Sequence, residues 1–231
     1  METLDNVSRQ GRERLNPSIK DPNWLVLRRR RSIFQKWIAG LEGGEFDILD
    51  VGGRVQPYRA LFEGRIRSYT ALDPRATPLV DVVGSAEQIP FADAQFDVVI
   101  CTQVLEYVPR PEMAMSEILR VLKSGGHLLL SVPSVFPRDS EQDSWRFLPG
   151  SLKFLLRPFS EFEIACEGSS VLGFLRTIIV CLVTFARPVV LRPVLRVTVV
   201  PILNIVGASL ELLLSNSNDQ FTANFSAHAR K

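Results

Sequence analysis

The sequence predicts an α/β protein built on a doubly wound, mostly parallel β-sheet, and three observations support that prediction. Short apolar runs alternate with helical patterns between residues 46 and 133. The run at 96–101 (FDVVIC) is mostly apolar and β-branched, as in a strand buried on both faces. The chain has 231 residues and is 46% apolar, enough for a substantial core. Strands that alternate with helices at this spacing form parallel sheets covered by helices.

The individual elements follow from hydrophobic periodicity and from turn residues. Apolar positions at helical spacing, or a proline in the first turn, predict helices over residues 24–41, 57–63, 111–122 and 148–156. Apolar or alternating runs bounded by turn residues predict seven strands, over residues 46–51, 68–72, 79–83, 96–101, 127–132, 162–166 and 221–229. The polar first segment, 1–22, is expected to be flexible, and 23–231 to form a single domain.

A second apolar region, residues 171–214, precedes the last predicted strand. Its longest uncharged stretch, 197–210, has 14 residues, fewer than the ~18–20 that cross a bilayer. We therefore expect an extra helical region rather than a spanning helix. It is interpreted as a helical cap over the substrate site; a buried helix pair, a homodimer interface and peripheral membrane contact are the alternatives. Four arginines interrupt it: Arg176, Arg187, Arg192 and Arg196.

Composition narrows the classes of partner and the compartment. The net charge of +2 gives no electrostatic basis for binding nucleic acid. The three cysteines, Cys101, Cys166 and Cys181, lie far apart and form no CxxC pair, so neither a metal site nor a disulfide framework is predicted. A reducing, cytoplasmic setting follows, with association to a membrane through 171–214 as the alternative.

A glycine pair follows the first predicted strand in the stretch FDILDVGGRVQPY. Asp50, Gly52 and Gly53 stand at the end of that strand, and Asp73 ends the second. Ligands of doubly wound sheets bind beyond such strand ends, where a terminal acid accepts hydrogen bonds from a ribose. The dinucleotide fingerprint G-x-G-x-x-G is absent, and Pro57 stands where a phosphate-binding helix would begin. A ligand with a ribose but no phosphate, such as S-adenosylmethionine, fits better.

Four segments in order then resemble a known family: ILDVGGRVQPY, YTALDP, GSAEQIPFADAQFDVVICTQVLEYV and EMAMSEILRVLKSGGHLLLSVP. Together they look like the class I S-adenosylmethionine-dependent methyltransferases, in particular the small-molecule group known as type 11. The resemblance covers residues 46–133. It implies a Rossmann-like, seven-stranded sheet, with 46–133 as the cofactor-binding core and 134–231 as the substrate side. The segment DSWRFLPGSLKFLL also resembles bacterial members associated with surface polysaccharide metabolism.

The resemblance assigns cofactor contacts residue by residue. The glycine loop approaches the methionine part of S-adenosylmethionine, and of the product S-adenosylhomocysteine, while Asp73 binds the ribose and Pro74 lies near the adenine. Ser85 stands where relatives commonly have an acid that contacts the adenine, and Arg54 departs from the usual glycine-rich loop. The remaining implied contacts are Ala86 and Glu87 after the third strand, and Cys101, Thr102, Gln103 and Val104 at the end of the fourth.

The acceptor side is less defined by sequence. Tyr107 replaces a histidine common in relatives, and Asp143, Trp145 and Arg146 follow the fifth strand, where Trp145 and Arg146 are suited to a sugar or an anionic group. Asp139 and Glu141 share that loop. No general base is evident, because His127 and His228 are interpreted as structural.

We therefore predict methyl transfer to a small-molecule, glycan or lipid-linked acceptor. An inactive methyltransferase-like scaffold is the alternative. A nicotinamide oxidoreductase is a second rival, which Pro57 and the missing third glycine disfavour.

Overall fold

One sheet organises the protein in the computed structural model, which describes residues 2–138, 140–187, 189–214 and 218–231. Within these residues seven strands take the order β3-β2-β1-β4-β5-β7-β6. They are β1 Phe46–Val51, β2 Ile66–Asp73, β3 Val82–Val83, β4 Phe96–Thr102, β5 Leu122–Pro133, β6 Glu161–Cys166 and β7 Asn224–Arg230.

Strand direction defines where a ligand can bind. β1 pairs in parallel with β2 and β4, and β4 pairs in parallel with β5. β7 is antiparallel to both of its neighbours, β5 and β6. Chain order reverses between β1 and β4, which makes a switch point at their carboxyl ends. The predicted Rossmann-like, mostly parallel seven-stranded fold is thus confirmed.

Helices cover both faces of the sheet. They are α1 Leu4–Leu15, α2 Trp24–Ala39, α3 Pro111–Val121, α4 Pro149–Leu156, α5 Ser170–Phe185, α6 Leu191–Val197 and α7 Val199–Leu213. Alternate strand residues point to opposite faces, so Ile48 packs in the core beneath α2, whereas Leu49 packs in the core with α3 and α4. The continuous apolar runs of β1 and β4 follow from this double burial.

Two predicted segments differ from the observed structure. Residues 57–63 form only a 3₁₀ turn at Arg59–Phe62, because Gly64, with φ +78°, turns the chain back toward β2 after one turn. The first 22 residues contain α1 instead of a flexible tail. Its Val7, Gly11 and Leu15 recur every four residues and are buried, so one narrow stripe anchors an otherwise polar helix.

The apolar region forms α5, α6 and α7, as expected for a helical insert before β7. Together α6 and α7 cover Leu191–Leu213, a helical stretch that is long and apolar enough to cross a membrane by length and composition alone. The sequence criterion counted only uninterrupted uncharged residues, whereas this stretch includes Arg192 and Arg196. The extra helical region expected before the last strand is present, and its length alone does not distinguish it from a spanning helix.

Candidate functional site

The glycine loop makes a tight bend at the carboxyl end of β1. Gly52 has φ +78°, and a side chain there would meet Val104 Cγ2 at 2.2 Å. A Cβ on Gly53 would approach the carbonyl oxygen of Asp50 at 2.7 Å and the Ala71 methyl at 2.9 Å. Only glycine fits at either position without a shift of its neighbours. The predicted loop therefore lies directly beside the end of β4, where Val104 was also predicted.

Asp50 lies beneath this loop, almost fully buried. The Tyr69 hydroxyl donates a hydrogen bond of 2.7 Å to its carboxylate. Burial raises the pKa of Asp50 to about 7 despite that bond, and the charge of Asp73 adds to the rise.

Cys101 is paired with Val51 across the sheet, and burial raises the pKa of its thiol well above the ordinary value. Cys101 is therefore a packed core residue and not a nucleophile.

Asp73 ends β2, next to the glycine loop in the sheet. Its carboxylate accepts a hydrogen bond of 2.8 Å from the Arg75 backbone amide and stays partly exposed. Partial burial raises the pKa of Asp73, whereas the hydrogen bond and the nearby charge of Arg54 oppose the rise. Arg54, the departure noted in the sequence, thus lies within electrostatic reach of the predicted ribose-binding acid. Pro74 is exposed beside it.

The segment after β3 continues the same edge of the sheet. Ser85 is exposed and its hydroxyl accepts a hydrogen bond from the Glu87 amide, 3.2 Å, in a local turn. The Glu87 carboxylate pairs with Arg110 at 3.1 Å, and Ala86 is buried in the core. The structure therefore aligns the predicted segment with the ends of β2 and β1, and directs the one acidic side chain toward Arg110.

The end of β4 bends sharply after Thr102. Gln103 has φ +54°, which is uncommon for a residue with a side chain. Its backbone N–H donates to the Ser131 carbonyl at 2.8 Å. This bend turns Val104 over Gly52. A constrained backbone at a switch point is typical of ligand sites.

The predicted acceptor residues come together on two loops after β4 and β5. Trp145 Nε1 donates to the Val108 carbonyl at 2.9 Å, and the Ser144 amide donates to the Glu106 carbonyl at 2.8 Å. Arg146 forms a two-pronged ion pair with Asp143. Tyr107 and the Trp145 ring remain exposed. Arg146 therefore fixes its own loop, and Trp145 joins the two loops; Asp139 lies outside the described residues.

Glu106 is the main residue of this region that the sequence analysis missed. It is 3% exposed, and its Oε2 atom has no hydrogen-bond partner among the described residues. Burial raises the pKa of Glu106 to about 8, and the Asp143 charge adds to the rise. An acid within the apolar stretch LEYV was the available signal. A carboxyl group with a pKa near the physiological range is suited to proton transfer.

A buried arginine borders the same region from α5. Arg176 is 5% exposed, donates from Nε and Nη2 to Asn23, and lies over the Phe136 ring at 3.9 Å. Its Nη1 has no partner within the described part of the chain. Burial and the charge of Arg30 lower the pKa of Arg176 to about 9. The guanidinium thus has an unused donor and no ion pair among the described residues, which favours an anionic ligand.

A buried ion pair between Arg30 and Glu167 holds α2 against the sheet. Arg30, one of four consecutive arginines in α2, is buried and donates to Glu167 at 2.8 Å. Glu167 is fully buried and accepts three further hydrogen bonds, from Ser131, Ser226 and Asn224. Such a fully partnered carboxylate fixes β5, β7 and α2 in one arrangement.

The two histidines take no part in this site. His127 and His228 stack on each other and share a 3.0 Å contact between ring nitrogens, midway along β5 rather than at its carboxyl end. An open groove of about 420 Å³ lies between α1 and the turn after β1, lined in part by Val55, Gln56 and Leu79. It adjoins the glycine loop but does not include Asp73.

Comparison with known proteins is consistent with this geometry. Residues 49–130 match the family model described as "Methyltransferase domain". An uncharacterized methyltransferase of Mycobacterium sp. (strain KMS) is 36% identical over 108 residues, which are 41% of this chain and 42% of that protein. The chain thus matches less than half of the length of this curated relative.

Two solved structures share the fold at low sequence identity. A SAM-dependent methyltransferase from Archaeoglobus fulgidus has a TM-score of 0.57 at 14% identity, covering 96% of this chain and 99% of that one. The 1,6-didemethyltoxoflavin-N1-methyltransferase of Burkholderia thailandensis, solved with S-adenosylhomocysteine, has a TM-score of 0.54 at 15% identity, covering 99% and 85%. Residues 49–130 therefore resemble a methyltransferase domain, and the two solved structures show that the chain shares its fold with known methyltransferases.

Proposed function

We propose that this protein transfers a methyl group from S-adenosylmethionine to a small-molecule, glycan or lipid-linked acceptor. The observation that carries the proposal is the alignment of three strand ends: the tight Gly52-Gly53 bend, the acid Asp73 and the bend at Gln103 that brings Val104 over Gly52. No comparison or contact favours the inactive scaffold.

The proposed mode of cofactor binding is inferred from the groups that these three strand ends present. Asp73 offers carboxylate oxygens to the two ribose hydroxyls, and the bare backbone of the glycine loop lets the amino acid part approach closely. S-adenosylmethionine supplies a methyl group already activated on a sulfonium. The protein then needs mainly to align the acceptor and exclude water.

The acceptor is proposed to bind beside the two joined loops that carry Glu106 and Trp145, near the Phe136 ring. Arg176 brings an unsatisfied donor to this region, which suits a carboxylate or phosphate oxygen on the acceptor. Trp145 exposes a ring face for a sugar or another flat group. An acceptor with both an anionic and an apolar or sugar part fits this arrangement.

Glu106 is proposed as the group that takes a proton from the acceptor. Its unpartnered Oε2 can accept a proton from an acceptor hydroxyl or amine once it is ionised, and with a pKa of about 8 the ionised fraction is small at neutral pH and grows as the pH rises. Arg30 and Arg146 favour that ionised form electrostatically.

A thermal-shift experiment tests the proposed cofactor. With S-adenosylmethionine or S-adenosylhomocysteine at about 100 times the dissociation constant, binding adds about 2.7 kcal/mol to stability, which raises Tm by roughly 5–10 °C for a domain of this size. Reduced nicotinamide cofactors at the same concentration should leave Tm unchanged. A shift with nicotinamide cofactors alone would overturn the proposal.

A further inference from the structure

The last long helix, α7, exposes an aliphatic face and buries polar residues among apolar ones. Its buried face carries Asn204, Gly207 and Glu211 beside Val200, with Leu203 and Ala208 packed on the same core, whereas its exposed face is mostly aliphatic. The exposed side chains recur at helical spacing and are Ile202, Ile205, Val206, Leu212 and Leu213. A surface helix of a water-soluble protein normally buries its apolar stripe and exposes its polar one.

The buried polar residues of α7 are satisfied by the rest of the protein. Asn204 donates to the carbonyls of Ile19 and Asp21, at 2.7 and 3.0 Å. Glu211 accepts hydrogen bonds from Ser169 and pairs with Arg29 at 3.2 Å. These contacts fix which face of α7 points outward, so the exposure of the aliphatic face is a consequence of specific bonds.

Neighbouring helices extend this face into one apolar helical surface, defined here as the exposed apolar side chains of the described residues within 182–187 and 189–214. Phe185 at the end of α5 is 69% exposed, and Val190 before α6 is 74% exposed. Val194 and Val197 add the exposed side of α6. A patch of this extent on a monomer marks a place where another apolar phase or partner binds.

All the charged residues between positions 171 and 210 are positive. Residues 171–210 contain four arginines and no aspartate or glutamate. Arg187 and Arg196 are exposed beside the apolar helical surface, and Arg192 donates to the Thr184 carbonyl in the same helical unit. Aliphatic side chains edged by cations match a bilayer whose headgroups carry negative charge.

We propose that the apolar helical surface docks on a bilayer containing anionic phospholipid, with α6 and α7 lying in the interface. Their exposed aliphatic side chains enter the acyl boundary, and Arg187 and Arg196 bind lipid phosphates. Lying on the bilayer leaves the contacts of Asn204 and Glu211 intact, whereas crossing it would remove their partners and leave polar groups in hydrocarbon.

A second copy of the chain is a less suitable occupant. In a two-fold symmetric dimer the same patch meets itself, so Arg187 and Arg196 would face like charges with no acid from 171–210 to pair with. The surface is also aliphatic, with Phe185 as its aromatic side chain within 182–214, whereas protein interfaces are enriched in tyrosine and tryptophan.

The proposed docking does not depend on the proposed methyl transfer, because the apolar helical surface lies apart from the acceptor region. The helix α5 nevertheless connects the two, since it carries the buried Arg176 and, nine residues later, Phe185. Docked protein would therefore hold the proposed acceptor region close to a lipid surface.

The test is flotation of the full chain with vesicles of neutral phosphatidylcholine, alone or with phosphatidylglycerol. We expect the protein to float with the anionic vesicles and at least about tenfold less with neutral ones. The Ile205→Glu/Leu212→Glu double variant should remain unbound, and Arg187→Gln/Arg196→Gln should reduce binding to anionic vesicles alone. Phe154→Glu, an equally apolar exposed site on α4, is the control and should bind normally.

Circular dichroism and thermal melting establish that each variant folds, which the exposure of the changed residues predicts. Absence of wild-type binding to anionic vesicles would overturn the proposal, as would normal binding of the double glutamate variant. A dimer in solution that the same double variant converts to a monomer, without vesicle binding, would assign the surface to a second copy instead.

Discussion

Asp50 should make the protein less stable as the pH rises, and Asp50→Asn should remove that effect. The carboxyl group has a pKa of about 7 when folded, against an ordinary value of 3.8, because it is buried with one hydrogen-bond donor, Tyr69. Between these two values the folded state holds a proton that the unfolded state has lost. The contribution of Asp50 to stability therefore falls as pH rises from about 4 to 7 and is then constant.

The size of the effect follows from the difference in pKa. Between pH 5 and pH 8 the linkage gives a loss of about 3 kcal/mol in the free energy of unfolding. The side-chain amide introduced by Asp50→Asn would still accept the Tyr69 hydrogen bond but cannot ionise. Relative to wild type, this variant should therefore gain about 3 kcal/mol between pH 5 and pH 8.

Urea unfolding at both pH values, without cofactor, measures this difference. Asp47 on the same strand is the matched control, because hydrogen bonds from Lys123 and Ser68 hold its pKa at about 2. Its carboxylate is ionised above pH 5 in both states, so Asp47→Asn should lower stability by a similar amount at pH 5 and pH 8. An Asp50→Asn difference that is equally independent of pH would refute the assignment of a neutral, buried Asp50.

Three further substitutions test the site and its support. Glu167→Gln should lose about 3–5 kcal/mol of stability by urea unfolding, because it leaves Arg30 buried without its counter-charge; a loss under about 1 kcal/mol would contradict the buried pair. Gly53→Ala should cost about 1–3 kcal/mol and weaken cofactor binding, since its methyl would meet Asp50; unchanged binding and melting would show the loop is not tight. Once an acceptor is known, kcat in wild type should rise with pH through about 8, and Glu106→Gln should lose that rise; an unchanged profile would exclude Glu106 as the base.

Much of the fold could be predicted because its strongest signals are local. β1 was predicted with its observed limits, 46–51, and β4 within one residue, because strands buried on both faces give unbroken apolar runs. The 3₁₀ turn after β1 and the packed α1 were not predicted. The packing of α1 depends on tertiary contacts, such as Gly11 against the Val55 carbonyl, that no local pattern encodes, whereas the 3₁₀ turn ends at Gly64, a local signal that the sequence analysis did not use.

The residues of the candidate site also fall into those that the sequence could predict and those that it could not. Residues at strand ends, such as Gly53 and Asp73, could be predicted because topology brings strand ends together. Glu106, Arg176 and the Arg30–Glu167 pair could not, since their importance comes from burial and from missing or distant partners. The exposed aliphatic face of α7 was equally hidden, because an apolar sequence does not reveal which face points outward.

The most direct test of the central claim is calorimetric titration with S-adenosylhomocysteine of wild type, Asp73→Ala and Asp93→Ala. Asp93 is an exposed acid away from the strand ends, paired with Arg120, and serves as the control. We predict one site per chain in wild type and in Asp93→Ala, and affinity weakened by about 10–100-fold in Asp73→Ala, as for the loss of hydrogen bonds to a charged group. Folded wild-type protein that binds no S-adenosylhomocysteine, or binding that Asp73→Ala leaves unchanged, would contradict the account.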